Sequence, residues 1–138
     1  MTKELKVLID TREQEPWEFP GMRSVRRPLK FGDYTLAGLE HKAVIERKSA
    51  ADLVHTMTKD FHRGCREILG AKEEGIELFL VVEATMDRVR EHMNRYSPTR
   101  VLERTIAKFI TVTGVSPIFT GGRKSASRLT VAILETFR

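Results

Sequence analysis

Three acids and one lysine fall along the first third of the chain in an order that suits metal-assisted hydrolysis of a phosphodiester. Asp10 closes "KVLID" (6–10), Asp33 lies in "FGDYTLAG" (31–38), and Glu46 and Lys48 lie in "AVIERKSAADL" (43–53). Mg²⁺ takes hard oxygen ligands, usually one or two carboxylates with waters and a substrate phosphate. It acidifies a bound water and offsets charge on the reacting phosphate, while a nearby ammonium can orient that water. Two carboxylates and a lysine are a minimal kit for this cut, and Asp10 brings a third acid if its strand lies adjacent.

The spacing matters because alternate side chains of a strand share a face. Glu46 and Lys48 then point one way and Arg47 the other. If the strand that begins near Asp33 pairs with theirs, all three groups converge at one sheet edge. Each residue also has an ordinary reading. Asp33 suits a turn, Glu46 and Lys48 suit a solvated same-face pair, and Asp10 can pair with Arg12. "SAAD" (49–52) matches a capping box ahead of an apolar helix, so Ser49 caps it and Asp52 has a structural role at least as good as a catalytic one. Singly these readings win. The order acid, strand, acid-x-Lys, helix favours a site.

The elements that must position them follow from pattern. "KVLID" reads as a short buried strand and 11–21, with two prolines and a glycine, as a loop. "SVRRPL" (24–29) reads as an edge strand, because Pro28 excludes a central one. Segments 31–38 and 42–48 read as a hairpin pair. Ala50, Leu53, Val54, Met57, Phe61, Cys65, Ile68 and Leu69 recur at helical spacing, which predicts one amphipathic helix from 49 to about 73. "GIELFLVVEA" (75–84) reads as a strand buried on both faces, followed by a polar connection over 85–96. Ser97, Pro98 and Gly114 predict a helix over 97–114, then "VSPIF" (115–119) a strand and 120–137 a turn and helix. The expected fold class is α/β, a mixed β-sheet flanked by α-helices in a single domain over 1–138.

Composition narrows the classes. With 138 residues and 41% hydrophobic content, the chain suits one core. No apolar run is long enough for a membrane span, and the start lacks the pattern of a signal peptide, so no membrane partner is expected. A single cysteine, Cys65, excludes an internal disulfide and a cysteine-based zinc site, and points to an intracellular setting. A net charge of +5 and a pI near 9.6 accommodate a polyanion without establishing one. "TGGRKS" (120–125) lacks the spacing of a phosphate-binding loop, and the four histidines have no metal-ligand spacing. Trp17 falls in an exposed-looking loop, where base stacking and a core plug are both open and the plug is the commoner role, and Cys65 reads as a small buried hydrophobe.

"LIDTREQ" (8–14), "FGDYTLAG" (31–38) and "VIERKSAADLV" (44–54) resemble the three signature segments of the XPF/Hef-type structure-specific endonuclease domain, part of the restriction-endonuclease-like PD-(D/E)xK superfamily. Gly32-Asp33, then Glu46-Arg47-Lys48, three residues and Asp52 fill its hallmark without a gap. The later chain is similar to the family's core strand and its closing strand-and-helix unit. The resemblance implies a restriction-endonuclease-like fold and a metal-dependent DNA endonuclease for branched or structured DNA, serving DNA repair or recombination. It implies Mg²⁺, with Mn²⁺ as a substitute, held by Asp33 and Glu46 with Asp10 as an additional acid, and Lys48 as the catalytic lysine. Arg12, Glu13, Arg47 and Asp52 match signature positions whose roles stay open; Arg12 and Glu13 are expected at the rim, and Arg47 as an anchor for the helix behind it.

Two departures from the family stand out. The family usually places an arginine before a phenylalanine in the helix after Glu-Arg-Lys, whereas Asp60 precedes Phe61 here and Arg63 is the nearest arginine. The tandem helix-hairpin-helix modules of many relatives have no room, which suggests a minimal, free-standing form of the phage or bacterial sort. Arg26, Arg27, Arg63, Arg123 and Lys124 are candidate contacts to the DNA backbone. Apolar residues nearly encircle the last helix and band the one before it, which suits burial or a homodimer or nuclease-domain partner, the pairing the resemblance implies. The alternative is a catalytically inactive nuclease-like module that binds DNA or docks on a partner, against which the intact acid-acid-lysine set argues.

Overall fold

The computed structural model describes residues 5–138. In chain order the elements are β1 (Lys6–Asp10), β2 (Arg23–Arg27), β3 (Tyr34–Leu36), β4 (Ala43–Lys48), α1 (Ala50–Met57), α2 (Phe61–Glu73), β5 (Glu77–Val82), α3 (Met86–Tyr96), α4 (Leu102–Thr113), β6 (Pro117–Phe119) and α5 (Arg123–Glu135). The strands make one mixed sheet in the order β2-β1-β3-β4-β5-β6. β2 runs parallel to β1, the β1–β3 and β3–β4 pairs are antiparallel, and β4, β5 and β6 run parallel. β2 is the edge that Pro28 requires, and β3 and β4 form the expected hairpin pair.

The two-residue period of the strands sorts side chains onto two cores. Val44, Leu78, Leu80 and Val82 face α1 to α4, while Ala43, Ile45 and Val81 face α5 and the loop carrying Trp17 and Phe19. Trp17 is a core plug: it is 2% exposed and stacks on Tyr34 with ring centroids 4.9 Å apart. Full burial of Leu53, Leu80 or Phe109 on one face, and of Ile45 or Leu134 on the other, contributes about 1.5–3 kcal/mol each, so both faces of the sheet are firmly covered.

Three expectations need correction. The helix over 49–73 is two helices. α1 ends at Thr58, whose hydroxyl turns back onto the Val54 carbonyl at 2.6 Å, while the His55 carbonyl accepts the Asp60 N–H at 2.9 Å. α2 then crosses α1 closely: a Cβ on Gly64 would lie 2.8 Å from Thr56 Cγ2. The apolar period runs through this break because both helices feed the same core. Segment 85–96 is a helix, α3, capped by the Thr85 hydroxyl on the Arg88 N–H. Only Val89 and Met93 of α3 are buried, too thin a stripe to stand out in sequence. Finally, Ser97 does not start the next helix. Its N–H closes α3 onto the Met93 carbonyl, and α4 begins after Val101, which offers no side-chain cap. Gly114 ends α4 at φ 70°, as its type predicts.

Among the described residues, no helix is long and apolar enough to cross a membrane.

Candidate active site

Glu46 and Lys48 continue the face of Val44, on the side of α1 and α2, and Arg47 continues the face of Ile45, on the side of α5. Asp33 comes to them through backbone geometry. Its N–H donates to the Ile45 carbonyl at 2.7 Å, and its carboxylate accepts the Arg47 N–H at 2.8 Å. That approach requires the glycine before it. Gly32 has φ 76°, and a Cβ there would lie 2.8 Å from Val44 Cβ and 3.1 Å from the Ile45 carbonyl oxygen. The Gly-Asp pair is thus a device for laying one strand start tightly on the next.

Asp10, Asp33, Glu46 and Lys48 line one cleft of about 360 Å³, with Arg12 and Lys30 on one side and Thr56, Arg63 and Glu67 on the other. Burial above all, and then the nearby Glu46 charge, raise the Asp33 carboxyl to about 8 against the opposing pull of the Arg47 N–H and of Lys48. Glu46 is raised too, by burial above all, with Lys48 pulling the other way and Glu67 and Glu13 adding repulsion. Two half-buried carboxyls that both disfavour ionisation are a donor set suited to a divalent cation, which would relieve both. Asp10 differs. Burial pushes it up, but the Leu29 N–H at 2.9 Å and the Arg12 guanidinium at 2.7 Å outweigh that and hold it below the usual range. Both its oxygens are therefore already engaged. Among the described residues no three His, Cys, Asp or Glu side chains form a ready-made metal cage. Two carboxylates completed by water and substrate is the arrangement Mg²⁺ commonly takes.

The remaining signature residues serve the far face. Arg47 donates through Nε to Glu83 at 2.6 Å and through a terminal nitrogen to Glu13 at 2.9 Å, and lies 5.4 Å from the centre of the Trp17 ring. Glu13 also accepts the Tyr34 hydroxyl at 3.0 Å. Arg47 and Glu13 thus tie the loop after β1 to β4 and β5 behind the cleft. Asp52 is exposed on the first turn of α1, where its N–H donates to the Ser49 hydroxyl at 3.1 Å. It does not line the cleft.

The candidate DNA contacts divide. Arg63 lines the cleft beside Glu67, its neighbour one helical turn on. Arg26 donates to the Thr11 and Glu13 carbonyls and so fastens β2 to the loop after β1. Arg27 is exposed at the end of β2. Arg123 holds the Glu15 and Pro16 carbonyls at 3.0 Å, and Lys124 is exposed beside it on the α5 face.

Thr56 and Glu67 were not singled out in the sequence. In a straight helix Glu67 would lie roughly 26 Å from Ala50, seventeen residues at about 1.5 Å each. The break at Thr58 brings it back. Its one local signal is the four-residue spacing from Arg63, which is common on any solvated helix.

The ERCC4 domain family matches residues 9–133. Among solved structures, XPF from Aeropyrum pernix in complex with DNA superposes with a TM-score of 0.70 at 19% identity, over 97% of this chain and 65% of that one. A second structure, XPF from Aeropyrum pernix, gives 0.68 at 18% identity, over 96% and 64%. The chain thus spans about two thirds of the length of the structures it matches, and at that identity the likeness shows the fold. No curated protein sequence matches it.

Proposed function

The chain belongs to the ERCC4 domain family, and on that footing we propose that it is a metal-dependent endonuclease that hydrolyses phosphodiester bonds in branched or otherwise structured DNA. The observation that carries this reading is the shared cleft of Asp33, Glu46 and Lys48, with both acids pushed toward neutrality, by burial above all.

Mg²⁺, with Mn²⁺ as a substitute, would be held by Asp33 and Glu46 and would supply Lewis acidity toward the phosphate and an activated water at neutral pH. Asp10 assists as a fixed negative charge on the cleft wall, kept ionised by Leu29 and Arg12. Lys48, two residues from Glu46 on the same face, orients the attacking water and stabilises charge that develops on the phosphate. Arg63 and Arg12 at the cleft margin receive neighbouring phosphates, with Arg26, Arg27, Arg123 and Lys124 as further candidates on the same electrostatic logic. The relative solved with DNA supports nucleic acid as the partner. Self-association or pairing with a related domain through the last helices belongs to the same proposal, since Ile110 and Val112 of α4 are exposed. DNA repair or recombination inside the cell is the setting such a cut would serve.

The test is cleavage of labelled fork, flap, nicked and linear duplex DNA by purified protein with Mg²⁺, Mn²⁺ or EDTA. Metal-dependent cutting that disappears in Asp33→Asn and Lys48→Ala supports the reading. Folded wild-type protein that binds DNA but leaves every substrate intact would replace it with a docking module.

A further inference from the structure

A second groove, of about 440 Å³, lies between the α1–α2 break and the start of α4. Arg100, Arg104 and Lys108 line one wall at four-residue spacing, and Phe61 and His62 line the other. Among the described residues, no Asp or Glu lines it. The one carboxylate of α4, Glu103, is drawn away into a two-pronged pair with Arg90 at 2.7 and 2.8 Å. Among the described residues, Arg100, Arg104 and Lys108 form no ion pair. Like charges one helical turn apart repel, and none of the described acids pairs with these. Lys108 instead rests 4.7 Å from the centre of the Phe61 ring, which fixes its ammonium over the groove.

The groove and the catalytic cleft share a wall. Thr56, Arg63 and Gly64 face the cleft, while Met57, Thr58, Phe61 and His62 face the groove. The ridge between them is one helix thick, about 10–12 Å. At about 3.4 Å per nucleotide along a strand, that is roughly three nucleotides.

We propose that this groove holds the phosphate backbone of DNA a few nucleotides from the bond cut in the cleft. The proposal rests on the nuclease reading and deepens it, because it gives the substrate a direction across the protein surface. Cationic side chains with an aromatic floor and no acid suit a phosphodiester backbone of any sequence.

Binding measured in EDTA separates this from catalysis. Fluorescence anisotropy of a labelled forked duplex is followed from about 50 to 200 mM salt for wild type and for Arg104→Ala/Lys108→Ala. Alanine keeps the helix propensity high, so the double variant is expected to fold, and a thermal melt confirms it. The expected result is a Kd raised about tenfold at low salt, with a log K against log salt slope flattened by about one for each cation removed. Arg104→Lys/Lys108→Arg, which keeps both charges, retains the wild-type slope. An unchanged Kd and slope in the alanine variant would overturn the groove while leaving the nuclease reading intact if the wild type cuts. A wild type that never cuts but binds through these two residues would do the reverse. A wild type with no affinity for DNA overturns both.

Discussion

The backbone N–H of Arg47 holds the Asp33 carboxylate at 2.8 Å, while the guanidinium of the same residue works on the opposite face of the sheet. One residue therefore orients a cleft acid with its main chain and ties the support behind the cleft with its side chain. The strand alternation that places Glu46 and Lys48 in front requires this division.

Removing the Arg47 side chain leaves the half-buried Glu83 with only Arg123 at 3.6 Å and the half-buried Glu13 without its cation. Their side chains are 11% and 16% exposed, so solvent gives limited relief. Arg47→Ala is expected to lose about 3 kcal/mol in urea denaturation. Arg47→Lys recovers only part of that, because an ammonium cannot bridge Glu83, Glu13 and the Trp17 ring at once. A loss under about 1 kcal/mol for alanine would show that the network carries little of the fold.

Asp33 illustrates a conflict between site and stability. Its folded pKa lies above the unfolded value, so the folded state holds the proton as pH rises and stability falls across the interval. The penalty begins near the ordinary carboxyl value and is complete above about 8. Asparagine keeps the acceptor for the Arg47 N–H and has no charge to bury. In EDTA, Asp33→Asn should therefore melt above wild type at pH 8, by about 4 °C or more, with the gap closing toward pH 4. A lower melting temperature for the variant at every pH would contradict this.

Metal affinity gives a readout independent of cutting. A cation that binds only the folded state raises the melting temperature, by about 2.7 kcal/mol of stability at a hundred times its Kd. Mn²⁺ should stabilise wild type and Lys48→Ala but not Glu46→Gln. The lysine variant should still lose about 10²–10³-fold in cleavage rate, which separates water orientation from metal holding. Equal stabilisation of all three proteins would move the metal away from Glu46.

Two glycines with positive φ make a matched pair. Gly38 (φ 95°) has open space where an added methyl would sit, so Gly38→Ala costs only the backbone penalty, about 1 kcal/mol. Gly32→Ala adds the collision with Val44 and the Ile45 carbonyl and should cost about 3 kcal/mol. It should also abolish cleavage at temperatures where the variant remains folded, since Asp33 must move with it. Gly32→Ala protein with normal activity would mean that the close approach is dispensable.

The sequence by itself determined the sheet-borne half of the candidate site. Glu46, Arg47 and Lys48 alternate because strand geometry is local, and the hairpin that brings Asp33 to them needs only short-range pairing and a glycine. The mixed sheet, the edge position of β2 and the burial of Trp17 were legible for the same kind of reason. Tertiary structure decided the other half. Whether 49–73 runs straight or folds at Thr58 depends on the core that both halves enter, and that choice puts Arg63 and Glu67 on the cleft and Phe61 on the second groove. The partners of Arg47 lie 34 and 36 residues away on either side of it, at Glu13 and Glu83, so no local pattern could name them. Periodicity reports which face of an element is apolar. Where that face is buried, and what polar groups it brings together, is set by contacts between elements far apart in the chain.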